Sequence, residues 1–258
     1  MNIIVFDTET TNLEKPFCYN IGYVIYNTDT ATIAVKRDFV VEQVWHNPML
    51  FTTAYYANKR EIYISRMRGK TCFLRKFGYI TQQMYRDIEE FEITDGYAYN
   101  SPFDVKVFEF NCDWFKCINP LDTLTIHDIR GYVHREIAFT EEYRNFCDAH
   151  NLYTESGNYS TTAETVYRFL SNDATFDEEH TALADSEIEL AILCECVEQR
   201  EAEWNEDYTV YRAITRTVLQ EYEVIDAEGV SHKFPFTSKR KISGQEGVRL
   251  TIKQTERA

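Results

Sequence analysis

At 258 residues, 44% hydrophobic, the chain is long enough for one sizeable domain plus an appendage and for a full core. A formal net charge of −15 disfavours long duplexes as partners, because affinity for a phosphate backbone comes from Lys and Arg. No basic amino-terminal segment precedes a long apolar run and no stretch approaches a bilayer span. The seven cysteines, without a CxxC pair, argue for free thiols. The expectation is a soluble protein of a reducing compartment, the cytoplasm, or the host cytoplasm for a viral chain.

The first predicted element is a strand through Met1-Asn2-Ile3-Ile4-Val5-Phe6, with Asp7 and Glu9 where it leaves the core. Tyr19 to Tyr26 and Ala31 to Val41 read as an antiparallel hairpin across the polar turn 27–30. Phe51 to Arg86 stands out. It holds eight bases, Lys59, Arg60, Arg66, Arg68, Lys70, Arg75, Lys76 and Arg86, against one acid, Glu61, so the remainder carries −22. Tyr55, Tyr56, Tyr63, Phe73, Phe77 and Tyr79 are interleaved with them, the composition of a single-strand path with Arg66, Arg68 and Lys70 on phosphates. The equally weighted alternative is core aromatics, with bases paired to the acidic remainder.

Gly96 to Tyr99 reads as a second central strand, and Phe103 to Phe110 as the helix after it. Helical patterns follow around 121–133, 139–150, 161–171 and 181–203, with Thr161-x-x-Glu164 as a capping box. Tyr208 to Tyr222 is expected as a helix, and 221–225 with 230–234 as a hairpin around Asp226-Ala227-Glu228-Gly229. The tail bears Lys239, Arg240, Lys241, Arg249, Lys253 and Arg257. Its readings are substrate contact, partner docking, self-association or plain cover for a sheet edge.

The chemistry begins with Asp7 and Glu9. Positions i and i+2 of a strand share a face, so both carboxylates point to one spot. Held together they repel unless a cation lies between them, and hard divalent ions favour such oxygen clusters. A pair of ions needs ligands from further elements. Asp104, at the strand-to-helix junction, and Asp185, at the head of the longest helical pattern, are the candidates, with His180 five residues before Asp185. Taken singly, each acid is a surface charge or a helix cap.

Phe6-Asp7-Thr8-Glu9-Thr10-Thr11-Asn12-Leu13, Asn100-x-x-Phe103-Asp104 and His180-x-Ala182-x-x-Asp185 together resemble, in order and spacing, the three exonuclease motifs of the DEDDh family. Leu121-Asp122-Thr123-Leu124 resembles that family's helix between the second and third motifs. The likeness spans roughly residues 1–200. It implies a ribonuclease H-like α/β fold, a mixed β-sheet flanked by α-helices, occupying 1–204 with a basic aromatic-rich insertion at about 51–86. Residues 205–258 would be a small helix and hairpin extension. The resemblance further implies that Asp7, Glu9, Asp104 and Asp185 hold two Mg²⁺ or Mn²⁺ ions with His180 as general base. Thr8, Thr10, Leu13, Asn100 and Phe103 would contact substrate, Leu13 as a wedge against the terminal base. Asn12 replaces the family's usual Gly, and Asn tolerates a left-handed turn. Thr181 stands where the related branch has Tyr.

The function so implied is 3′-to-5′ exonuclease activity on single-stranded DNA or RNA 3′ ends, with a polymerase or other replication protein as a further candidate partner. The competing readings are a phosphodiesterase on short oligonucleotides or RNA and a non-catalytic ribonuclease H-like module that binds nucleic acid or a polymerase.

Overall fold

The computed structural model describes residues 1–52, 54, 57–215, 220–225, 231–236 and 249–251. Tyr55, Tyr56, the turn 226–230 and the tail bases other than Arg249 lie outside the described residues. In chain order the elements are β1 (Asn2–Thr10), β2 (Cys18–Asn27), β3 (Thr32–Val41), α1 (Glu42–Trp45), α2 (Pro48–Phe51), α3 (Arg60–Arg68), β4 (Phe73–Arg75), α4 (Phe77–Glu90), β5 (Asp95–Ala98), α5 (Pro102–Phe115), β6 (Thr125–Asp128), α6 (Ile129–Val133), α7 (Glu141–His150), α8 (Ala163–Ser171), α9 (Ala182–Glu198), β7 (Gln220–Ile225), β8 (Ser231–Phe236) and β9 (Arg249–Thr251). None of the described helices is long and apolar enough to cross a membrane.

The chain divides into two compact units, Met1–Tyr143 with Thr161–Arg212, and Arg144–Ser160 with Ala213–Ala258. The first is built on a six-stranded mixed sheet of order β4-β3-β2-β1-β5-β6. β1 sits inside it, antiparallel to β2 and parallel to β5. Ile3, Ile4, Val5 and Phe6 are fully buried, as a strand covered on both faces requires. β2 is buried along nearly its whole length, and β3 only over its second half. In the second unit β7 pairs antiparallel with β8 and β9. The hairpin expected at 221–234 is therefore present, whereas 208–215 are not helical and 220–222 belong to β7.

One glycine decides where the longest helix lies. A Cβ on Gly22 would come within 2.0 Å of the Leu183 backbone nitrogen, so the start of α9 rests directly on β2. Gly22 is the registered partner of Asp7, which fixes the first turn of α9 beside the carboxylates of β1. On the opposite face α5 packs Phe108 edge-on to Phe6, with ring centroids 5.9 Å apart, and Phe77 of α4 joins them.

Three expectations are corrected in detail. The stretch around 121–133 is not one helix: a single 3₁₀ turn at Pro120–Thr123 leads into β6, and helix resumes only at Ile129. The cap of α8 is Thr162 rather than Thr161, because the Thr162 hydroxyl accepts the Thr165 N–H. Asn12 does not take the left-handed conformation; its side-chain oxygen instead holds the turn by accepting the N–H groups of Glu14 and Lys15.

Candidate active site

Three elements meet at the carboxyl end of β1. That strand presents Asp7 and Glu9 on one face, and α9 adds Asp185 from its first turn, where its N–H bonds the Thr181 carbonyl. Ligand oxygens of Asp7, Glu9 and Asp185 all lie within 4.8 Å of one another. Asp104 approaches from the first turn of α5. Its Oδ1 accepts both the Thr8 N–H, at 3.0 Å, and the Thr8 hydroxyl, at 2.6 Å. Thr8 is thus committed to orienting Asp104, on the other side of the strand from Asp7 and Glu9.

The electrostatics are those of a crowded acidic cluster, on which the Lys59 ammonium exerts only a small lowering pull at Glu9. Burial, then the neighbouring Asp104 and Glu178, hold the Asp7 carboxyl well above the ordinary carboxylate range. Burial and then Asp7 push Glu9 up to about 9, and the same two causes push Asp185 up to about 10. Burial raises Asp104 to about 7, against the pull of the Thr8 hydrogen bonds. Glu9 takes one neutral hydrogen bond, from the Tyr19 hydroxyl at 3.3 Å.

The donor set fits hard divalent cations. Among the described residues Asp185 Oδ1 is buried and has no hydrogen-bond partner, an expensive arrangement unless something else binds it. With Asp7 and Glu9 beside it, the cluster offers oxygens from three carboxylates, the donor type that hard divalent cations take.

His180 lies just before α9 in a left-handed conformation, φ +53°. A non-glycine residue there needs support, and the loop is tied on several sides. Lys59 Nζ donates to the Glu179 carbonyl at 2.8 Å, and Arg66 pairs with the Glu179 carboxylate. Glu164 accepts the Glu178 N–H, and Arg168 donates to the Phe176 carbonyl. Glu178 stands 3.6 Å from His180 Nδ1. Burial, then the Lys59 ammonium, lower the imidazole pKa.

The remaining candidates are distributed as follows. Leu13 is 73% exposed at the tip of the turn after β1, and Thr10 and Phe103 are partly accessible. Asn100 is exposed, with φ +61° and its backbone N–H on Asp128 Oδ1. Arg66 is bonded to both Asp38 and Glu179, so it serves the internal pairing alternative. Arg68 and Lys70 are exposed beyond it.

Some participants escaped the sequence reading. Glu178 sits in the acidic run 177–179, which looks like a solvated surface. Glu189 is fully buried, accepts the Tyr99 N–H, and is raised well above the usual range by burial and then by Asp7 and Asp104. Its spacing of four from Asp185 puts both on one helix face, a legible signal. Gly22 had one too, as a glycine inside an otherwise bulky strand.

No protein-family model matches the chain, and no curated protein matches it. Solved structures do. The nuclease domain of 3′hExo, a DEDDh family member bound to rAMP, is 16% identical, with a TM-score of 0.51 over 80% of this chain and 96% of that one. A 3′-exonuclease in 3′-end specific recognition of histone mRNA stem-loop is 14% identical, with a TM-score of 0.51 over 98% of this chain and 76% of that one. A full-length 3′-exonuclease is 14% identical, with a TM-score of 0.50 over 84% of this chain and 67% of that one. At such identities the likeness is one of architecture: this chain has the ribonuclease H-like fold of DEDDh 3′-exonuclease nuclease domains.

Proposed function

We propose that this protein is a metal-dependent 3′-to-5′ exonuclease that hydrolyses single-stranded DNA or RNA ends and releases nucleoside 5′-monophosphates. The observation that carries this reading is the cluster of Asp7, Glu9 and Asp185, whose oxygens lie within 4.8 Å of one another, with one buried oxygen unpartnered. Asp7, Glu9 and Asp185 would hold two Mg²⁺ or Mn²⁺ ions with Asp104, which Thr8 orients from the α5 side. Bound there, the ions supply Lewis acidity for the attacking water and for the charge left on the departing oxygen.

The side chains have the following work. His180 is the general base: burial keeps its ring neutral near pH 7, ready to take the proton as water oxygen bonds phosphorus and the bond to the 3′ oxygen breaks. Glu178 steadies the protonated ring through Nδ1. Lys59 and Arg66 are positioning residues that hold the His180 loop through Glu179. Leu13, exposed in the turn after β1, would pack against a terminal base. Free thiols at all seven cysteines suit a reducing compartment such as the cytoplasm.

The deciding experiment is a cleavage ladder on 3′- and 5′-labelled DNA and RNA with Mg²⁺, Mn²⁺ or EDTA. Stepwise shortening of 5′-labelled strands with either ion, and none with EDTA, is the expected result. Binding without cleavage under every condition would replace the enzyme with a non-catalytic module.

A further inference from the structure

Leu13, Trp114, Ile118, Tyr79 and Phe73 are all exposed, and Tyr79 lines one hollow with Ile118 and another with Phe73. The turn after β1 ends at Phe17, whose ring meets Phe110 and Trp114 edge-on at 5.1 Å each. Trp114 and Phe110 stack in turn, with centroids 6.2 Å apart. Just beyond, the end of α5 and the start of α4 line a hollow of about 660 Å³. Lys76, Lys116, Tyr79, Gln43 and Gln82 are in its wall, which contains no acid. In a chain with 42 acids and 27 bases, an acid-free wall of that size is a departure from the mean surface.

Tyr79 also borders a second hollow, of about 200 Å³, with Arg75, Phe73 and Gln83, whose wall includes one acid, Asp38, itself paired with Arg66. Its ring lies between two guanidinium groups, Arg75 at 5.6 Å and Arg86 at 6.0 Å. Among the described residues no carboxylate forms an ion pair with Arg75, Lys76 or Arg86, whereas Arg37 and Lys36 each have one and Arg66 has two. The register runs from Glu9 to Asn20, Val40 and Leu74, so Leu74, next to Arg75, is three strands from Glu9, about 14 Å across the sheet, while α4 and α5 lie on the face away from α9.

We infer that this surface is a platform for the single strand upstream of the scissile end, with bases stacked on Trp114 and Tyr79 and phosphates on Arg75, Lys76 and Arg86. The inference rests on the exonuclease reading and adds to it where the substrate's length is sensed. Unpaired cations beside exposed rings, with amide side chains between them, match a phosphate backbone carrying unstacked bases. A duplex would not offer its bases to the rings. An acidic protein segment would use the cations and leave the rings idle.

The test is fluorescence anisotropy of the full chain in EDTA with labelled 20-mer and 4-mer oligothymidylate and a 20-residue poly-glutamate. Arg75→Glu/Lys76→Glu/Arg86→Glu should weaken the 20-mer at least tenfold and lower its salt slope by about 2, at about 0.7 per phosphate. Tyr79→Ala, which leaves every charge in place, should cost about tenfold. Binding of the 4-mer should not change in either variant. Unchanged 20-mer affinity and slope in both variants, or poly-glutamate bound as tightly as the 20-mer, would overturn the platform. Hydrolysis of the 4-mer with Mn²⁺ is read in parallel. If the parent chain cuts nothing, the exonuclease reading fails, while anisotropy still decides the platform.

Discussion

Buried carboxylates occur in two settings in this fold, and the contrast between them sets the candidate site apart. Asp87, fully buried under β2 and β3, receives Arg37 Nε at 2.9 Å, the Tyr23 hydroxyl at 2.8 Å and Gln83 at 2.7 Å. Asp38 has Arg66 at 3.1 Å and Asn20 at 2.8 Å. Asp7, Glu9 and Asp185 have oxygens within 4.8 Å of one another, yet among the described residues no ion pair reaches any of them. Asp87 and Asp38 are neutralised from within the chain and hold strands to helices. The carboxylates at the end of β1 raise one another's pKa and have to be neutralised from outside. Burial alone marks neither kind; the partner does.

The largest expected effect lies on the unneutralised side. Asp7→Ala should lower kcat/KM on a 5′-labelled oligonucleotide by about a thousandfold or more, because charge stabilisation worth several kcal/mol is removed. A variant within tenfold of the parent would show that the cluster is not catalytic. His180→Ala should retain Mn²⁺ binding, read by calorimetry, and lose about 10²–10⁴ in kcat. Near-normal turnover would reassign the base.

The sharpest form of the comparison is a pair of isosteric changes with opposite signs. Asp87→Asn leaves Arg37 facing a neutral amide and should destabilise by about 3 kcal/mol in urea unfolding. Asp185→Asn relieves repulsion among three close carboxylates and should stabilise the metal-free protein by about 1 kcal/mol, while abolishing the rise in Tm that Mn²⁺ gives the parent. Equal signs would erase the distinction.

A smaller effect concerns His134, fully buried and lowered to about 4 by burial and then by Arg130. Its Nδ1 accepts the Tyr211 N–H at 2.9 Å, so the neutral ring ties residues near 211 to the segment just after α6 within the same unit. The unfolded chain binds this proton near pH 6.5 and the folded chain only near 4. Stability is therefore intact above pH 6.5 and declines as the pH falls through that window, by up to about 3 kcal/mol. His134→Gln should flatten the decline in Tm between pH 6.5 and 4; an unchanged slope would remove the role.

Much of this was legible before any fold was known. β1, the hairpin of β2 and β3, β5, α5 and α9 announce themselves by hydrophobic runs and helical periodicity, and three motifs placed Asp7, Glu9 and Asp185 in one cluster. β6 was hidden because its four residues, Thr125-Ile126-His127-Asp128, carry too little pattern to stand against helical neighbours. The basic stretch was read by composition, which cannot tell Arg66, bound to two acids, from Arg75, with none.

Sequence by itself determined that two carboxylates share one face, since period-two alternation puts Asp7 and Glu9 there whatever surrounds them. Tertiary structure decided which charges are neutralised and which stay open. That choice depends on how closely chains approach: Gly22 lets the first turn of α9 settle onto β2 and brings Asp185 to the pair. Coulomb energies follow distance in space, and residues 7 and 185 become neighbours only through packing.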